Sequence, residues 1–384
     1  MKRILYIQYT NPGGYPPLQH SSKILADAGW QVLFLGTGAS GAGGLDFPPH
    51  QRITVRRMPF LQPGWRQKAQ FARFFLWVLW TVLVWRPRWI YASDPLSCPA
   101  ALALTFVPWV DVLYHEHDMP ADKKGDGFFA LVMAARRRVA RRAKMCIIPN
   151  ANRLQRFDHE LGPLRASACV WNCPGLYEVP ATPRGMQGSG PGAAVWLLYH
   201  GTLVPQRLSP VVIDALALLP DQVRLRAVGY ETVGAPGYVA ALKRHAESLG
   251  IGHRVEFLPP VSRSELFEST VKSDIGLALI PMAVSDYNFE AMAGASNKVF
   301  DYMACGLPVV VSALREWCEM FVAPGYGFAC DPAEAKSIAA AIAPLVEDPA
   351  KMRAMGETAR QRILSNWNYE AMFAPVMAVM DGLQ

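Results

Sequence analysis

The sequence predicts an α/β protein built from two doubly wound, Rossmann-like domains. Three observations predict it. Short apolar segments alternate with longer helical ones along the whole chain, those segments fall into two series, and a Pro- and Gly-rich stretch separates the series. A length of 384 residues suits two domains of similar size. Hydrophobic residues make up 51% and charged residues 18%, which supplies two cores and excludes wholesale disorder.

The first series of strands is expected at 3–8, 31–36, 88–92, 110–114 and 145–149. The second is expected at 195–200, 223–228, 254–257, 275–280 and 308–312. Each run is short, rich in Val, Ile, Leu or aromatics, and followed by Gly, Pro, Asn or Asp, as strands buried in parallel sheets are. Between the series, 178–194 carries Pro180, Pro183, Gly185, Gly188, Gly190, Pro191 and Gly192 and reads as a linker. The expected domains are therefore 1–177 and 195–365, facing a central cleft, with ligands at the carboxyl ends of the strands.

The charge balance is 38 Lys and Arg against 31 Asp and Glu, a net +7. That suits phosphorylated substrates, an anionic membrane surface or nucleic acid. No aromatic–basic interleaved strand or nucleic-acid module is present, so nucleic acid is not expected. The seven cysteines form no CxxC pair and Cys169 and Cys173 lack a matching ligand pair, which argues against zinc and for reduced thiols in a cytoplasmic protein. Met1-Lys2-Arg3 precedes an apolar run too short for a signal peptide, and Gly13 and Gly14 then read as a loop after the first strand.

Gly36-Thr37-Gly38-Ala39-Ser40-Gly41 matches the dinucleotide fingerprint G-x-G-x-x-G and follows a strand. The fingerprint works only if a helix starts inside it, because that helix's N-terminus binds the pyrophosphate. Gly43, Gly44, Pro48 and Pro49 forbid one, and the helix of this unit is expected earlier, at about 18–28. A dehydrogenase is therefore rejected.

The strongest chemical signal is the block Ser296-Asn297-Lys298-Val299-Phe300-Asp301-Tyr302-Met303-Ala304-Cys305-Gly306-Leu307-Pro308. Ser296 is a good N-cap, Gly306 ends a short helix, and Pro308 opens the next strand. Free amides and the positive dipole end at 296–298 suit a diphosphate, and Lys298 adds a point charge. Asn297 and Asp301 share a helix face one turn apart, where a carboxylate can accept from ribose hydroxyls. The same spacing also fits an ordinary capped helix.

That block closely resembles the N-K-x-F-E-Y-M-A-x-G-x-P-V-V signature of the retaining GT-B glycosyltransferases of family 4, the glycosyl transferases group 1. Other landmarks fall in the family's order. Tyr199-His200-Gly201-Thr202-Leu203, with Arg207 beyond, resembles the first strand and phosphate loop of the C-terminal domain. Val228-Gly229-Tyr230 resembles the V-G-x-G turn, Val255 to Val261 the V-x-F-x-G-x-V turn, and Gly13-Gly14 the glycine loop near the transferred sugar. The resemblance implies a GT-B fold, a nucleotide-diphosphate sugar (UDP- or GDP-linked) as co-substrate with no further cofactor or metal, and a hydroxyl acceptor.

Two departures matter. The family's E-x7-E motif places its second acid at Asp301, one methylene short, and its first at Ala293. Glu290 lies three positions early, and amides around 292–295 are the alternative sugar ligands. The absent Glu keeps two other readings open: a nucleotide-sugar-binding or scaffold protein without turnover, and a GT-B sugar-nucleotide epimerase.

In the first domain, His115-Glu116-His117-Asp118 follows the strand ending at Tyr114. Metal is disfavoured because no third ligand cluster is evident. Relatives carry a His here near the donor sugar and acceptor. The likeness of Tyr114-x-x-His117-Asp118 to Y-D-x-H-D/E favours His117, whereas direct continuation of the strand favours His115. The resemblance implies that Arg207, Lys298 and the helix start stabilise the leaving diphosphate, which itself takes the acceptor proton.

Phe74 to Trp85 is apolar except for Thr81 and is flanked by Arg66, Lys68, Arg73, Arg86 and Arg88. Twelve residues cannot span a membrane. A buried helix accounts for the run, and so does an interfacial helix on the inner face of a cell membrane, where relatives reach lipid-linked acceptors. Phe128 to Lys144 repeats the theme. The tail 366–384, with an apolar helix from Met372 to Met380, resembles the GT-B segment that crosses back to the first domain.

Overall fold

The computed structural model describes residues 2–39, 45–120, 127–183, 194–232, 234–283 and 286–382. It divides into two compact units, Met1–Asn172 with Tyr369–Gln384, and Cys173–Asn368. Most of the expected linker, 184–193, lies outside the described residues.

The first unit holds a seven-stranded sheet: β1 (Arg3–Gln8), β2 (Gln31–Thr37), β3 (Ile53–Met58), β4 (Trp89–Ser93), β5 (Asp111–His115), β6 (Met145–Ile148) and β7 (Ser167–Cys169), in the order β3-β2-β1-β4-β5-β6-β7. Every pairing is parallel. The order reverses between β1 and β4, so the switch point lies where Gln8 and Ser93 end their strands. Central strands are buried on both faces, which is why they read as unbroken apolar runs. Tyr6 stacks between Phe34 and Tyr91, each 4.4 Å away, and ties β1 to its two neighbours.

Two strands of this sheet escape sequence reading. β3 is an edge strand whose Arg56 and Arg57 face outward, and β7 has three residues. The helix Pro16–Asp27 follows β1, as expected, with prolines in its first turn. β2 ends at Thr37 and no helix begins at 38–39; the remaining fingerprint residues, 40–44, lie outside the described residues. The final helix, Tyr369–Met380, packs its Tyr369, Phe373 and Val376 into this unit's core beside Leu18 and Tyr6.

The second unit holds β8 (Val195–Thr202), β9 (Val223–Tyr230), β10 (Val255–Leu258), β11 (Ile275–Ala278), β12 (Val309–Ser312) and β13 (Gly327–Cys330). Their order is β10-β9-β8-β11-β12-β13, again all parallel, with the switch point between β8 and β11. β13 was not foreseen, because GFAC opens on glycine and is too short to show a period. Gly229 lets β9 lie close to β8: a Cβ there would sit 1.8 Å from the Gly201 carbonyl oxygen. Gly276 likewise leaves room for the Tyr302 ring, whose hydroxyl donates to the Leu277 carbonyl at 3.1 Å.

Candidate active site

Two groups of polar side chains collect at the carboxyl ends of strands, one in each unit. In the first, β1 runs into a short turn, Pro12–Gly14, capped by Asn11, whose side-chain oxygen accepts from the Gly13 amide at 3.1 Å. Gly13 is packed closely, since a Cβ there would meet the Leu45 carbonyl oxygen at 2.4 Å, whereas Gly14 faces open space.

His115 and His117 leave β5 on the same side, as residues two apart in an extended segment do, and their rings lie 3.9 Å apart, tilted by 43°. Glu116 points the other way. Its carboxylate is buried against Arg136, which grips it with Nε at 2.5 Å and Nη2 at 2.6 Å, and it accepts from the Tyr114 hydroxyl. His115 is fully buried with Nδ1 2.6 Å from the Tyr91 hydroxyl. Burial, then the neighbouring His117, pushes its pKa well below the ordinary range, so it is neutral. Among the described residues, the His117 ring makes one hydrogen bond, between Nε2 and Ser93 Oγ at 3.0 Å. Arg153 holds the His117 carbonyl at 2.9 Å and the Asp118 carboxylate at 3.1 Å. Among the described residues no group of three or more His, Cys, Asp or Glu is placed to hold a metal ion.

In the second unit, a small recess lies at the switch point, lined by Tyr199, Arg207, Leu279, Ser296, Lys298 and Trp317 among others. The helix Asn297–Ala304 starts here. Ser296 occupies the cap position but makes no capping hydrogen bond, so its hydroxyl and the first-turn amides are not spent on each other. Lys298 reaches back over β8: a Cβ on Gly201 would lie 3.0 Å from its Nζ, and Gly201 has φ +116°. Burial, then the Arg207 charge, pushes the Lys298 pKa down to about 7, with Asp301 pulling the other way. The Arg207 guanidinium lies 4.4 Å over the Phe289 ring.

Asp301 is buried behind Lys298 and is held by other side chains. Arg263 donates to it at 3.0 and 3.4 Å, Asn297 at 3.2 Å, and His200 Nε2 stands 3.5 Å away. Arg263 also grips Glu178 at 2.6 and 3.0 Å. Burial acts to lower the Arg263 pKa, but Asp301 and Glu178 outweigh it and raise it well above the ordinary range. His200 is kept neutral by burial and by the nearby Lys298 and Arg263.

Residues 192–362 match the family described as Glycosyl transferases group 1, a span that includes Gly201, Arg207 and Lys298. The second unit is a glycosyl transferases group 1 domain. A GDP-mannose-dependent alpha-(1-6)-phosphatidylinositol monomannoside mannosyltransferase of Mycolicibacterium smegmatis is 26% identical over 47% of this chain. That match spans 46% of the relative, so less than half of its length is represented here. Over the whole chain, the fold is that of sucrose-phosphate synthase from Thermosynechococcus elongatus, with a TM-score of 0.75, 16% identity and 99% of that chain covered. Anabaena HepE, solved with UDP-glucose, aligns with a TM-score of 0.72, 20% identity and full coverage of both chains. The two parallel sheets are thus those of the GT-B glycosyltransferases.

Within the glycosyl transferases group 1 domain, the structure brings Arg207, Ser296 and Lys298 together around one recess, with Gly201 against the Lys298 side chain. Thr202 and Tyr230 sit side by side at the ends of β8 and β9, and neither is among the residues lining it. Asn297 and Asp301 are hydrogen-bonded to each other. At the position of the absent first Glu, the Ala293 amide faces Glu316 Oε2 at 3.4 Å, while the amides of Ala295 and Ser296 donate to the Met292 carbonyl. Arg263, Glu178, Ser93 and Glu316 carry no local sequence signal, because their partners are tens of residues away.

Proposed function

We propose that the protein transfers a sugar, with retention of configuration, from a nucleoside-diphosphate donor to a hydroxyl acceptor in cell-surface glycan or glycolipid synthesis. One observation carries the reading: two basic side chains, Arg207 and Lys298, converge with an uncapped helix start on one recess at the switch point of the second sheet, where Gly201 leaves room for the Lys298 side chain. Clustered positive charge with free amides is suited to a diphosphate and to the charge that grows on it as it leaves. In the step, the bond from the anomeric carbon to the β-phosphate oxygen breaks, the acceptor oxygen bonds the same face, and the departing phosphate takes the acceptor proton. His117, whose Nδ1 makes no hydrogen bond among the described residues, hydrogen-bonds the sugar or the acceptor hydroxyl; His115, whose Nδ1 is taken by Tyr91, supports its ring. UDP-glucose bound by HepE and the GDP-mannose dependence of the mycobacterial relative make UDP- and GDP-sugars the donors to try.

The acceptor side is assigned to a lipid surface on the cytoplasmic face of a membrane. The helix Trp65–Trp85 buries Phe74, Val78 and Val82 but exposes Leu76, Trp80 and Leu83 on its outer face, with Trp80 at 66%. Arginines at 66, 73, 86 and 88 flank this face and suit anionic headgroups. Among the described residues no helix is long and apolar enough to cross a membrane. Ala293 favours the second reading, a nucleotide-sugar-binding protein without turnover.

Incubation with radiolabelled UDP- and GDP-sugars and anionic lipid extract tests these readings. Nucleotide release with label in lipid supports transfer, binding without release supports the second reading, and no binding of either nucleotide refutes both. Flotation with phosphatidylglycerol vesicles, reduced by Trp80→Ala with Leu83→Ala, tests the membrane assignment.

A further inference from the structure

Asp94 follows β4 with φ 62° and ψ 163°, a backbone region that residues other than glycine avoid. Its surroundings over-determine that conformation. The Asp94 amide donates to the His115 carbonyl at 2.9 Å, and the Asp94 carbonyl accepts from the Ser97 amide at 3.1 Å and the Ser97 hydroxyl at 2.7 Å. The carboxylate then does something glycine cannot: Oδ1 accepts from the main-chain amide of His117 at 3.0 Å. The residue before it, Ser93, places Oγ 3.0 Å from His117 Nε2. Two consecutive residues therefore hold His117 at once, one by its main chain and one by its ring. The His115 ring at 3.9 Å and the Tyr15 ring at 5.2 Å, both tilted to it, neighbour the His117 ring. Beside them, Gln8 Nε2 donates to Asp94 Oδ2 at 3.4 Å while Gln8 Oε1 is buried without a partner.

We propose that Ser93 and Asp94 are positioning residues that lock the His117 ring with Nδ1 presented to the sugar or acceptor, and that the strained backbone at Asp94 is retained for this purpose. The inference rests on the reading of His117 given above. Small misplacements of a contacting group cost rate far more than they cost binding of a distant part of the substrate. The pair should thus act on turnover through His117 and leave nucleotide affinity alone.

The test uses the full chain with UDP-glucose and GDP-mannose, reading release of UDP or GDP with water as acceptor, UDP affinity and thermal unfolding. Asp94→Gly removes both the carboxylate and the strain, so it should melt no lower than the parent yet turn over at least tenfold more slowly, with UDP affinity unchanged. Asp94→Asn keeps a side-chain oxygen for the His117 amide and should recover most of that rate. Combined with His117→Ala, Asp94→Gly should add no further loss. A His117→Ala variant with full turnover would overturn the His117 reading itself. A slow His117→Ala variant on which Asp94→Gly is additive would leave that reading standing and overturn the positioning role. Where neither donor is turned over, ¹⁵N spectra of the His117 ring decide: Ser93→Ala should shift its ring nitrogens, and unchanged shifts would overturn the proposal.

Discussion

Replacing Lys298 with methionine should raise the stability of the unliganded protein near pH 6 and weaken its hold on a nucleoside diphosphate. Burial and Arg207 bring the Lys298 ammonium from 10.5 down to about 7. At ~1.4 kcal/mol per pH unit, that fall is on the order of 5 kcal/mol against the charged form. The side chain is half-buried, so solvent screening reduces the expected gain to about 1–2 kcal/mol. The sign follows from a pKa that is depressed in the folded state. Below pH 7 the lysine is charged in both folded and unfolded chains, and the penalty is fully present; as pH rises from 7 toward 10.5 the folded form is already neutral and the penalty disappears. The variant's advantage should therefore be largest at pH 6 and shrink by pH 9. For a unit of this size it should appear as roughly 2–8 °C in the melting midpoint. Loss of a charge-assisted contact worth ~1.5–3 kcal/mol should weaken UDP binding by about 10- to 100-fold at pH 6.5. In the parent, UDP affinity should fall between pH 6.5 and 8.5 as Lys298 loses its proton, and in the variant it should not. Calorimetric titration with UDP and thermal scans at both pH values measure each term. A variant that melts lower at pH 6, or that binds UDP as the parent does, refutes the reasoning.

Other perturbations follow from the same geometry. Arg263→Met leaves Glu178 and Asp301 buried without their shared cation and should cost about 3–5 kcal/mol in the urea midpoint of the second unit, part of it recovered by adding Asp301→Asn. Gly201→Ala puts a Cβ against Lys298 at a residue with φ +116°; a loss of about 1–2 kcal/mol and weaker UDP binding by calorimetry are expected. Gly13→Ala should lower the melting midpoint because its Cβ would meet the Leu45 carbonyl oxygen at 2.4 Å, whereas Gly14→Ala, in open space, should not.

Ten of the thirteen strands were legible in the sequence, all to within two residues, most of them because strands buried on both faces read as apolar runs. Of the three that escaped, β3 is a mostly exposed edge strand with two arginines, and β7 and β13, Ser-Ala-Cys and Gly-Phe-Ala-Cys, carry little apolar bulk. Trp65–Trp85 was foreseen only from Phe74 onward, since its first two turns are polar and basic. The Ser296–Pro308 block was legible for a different reason: cap position, Lys298, Asp301 and terminating Gly306 all act within three turns of one another. Asp301 shows the limit of that. Its place one turn beyond the helix start was readable, but its engagement by Arg263, 38 residues away, was not.

By itself, then, the sequence determined the two-sheet architecture and the phosphate-suited helix start, since both depend on residues near in the chain and on a burial pattern written into composition. Only the tertiary structure decided which charges meet. It set Lys298 beside Arg207, tied Asp301 through Arg263 to Glu178, and set Ser93 and Asp94 on His117. Parallel strands joined by crossovers place at one sheet end residues that are far apart in sequence, and a pKa or a strained backbone belongs to that assembled neighbourhood.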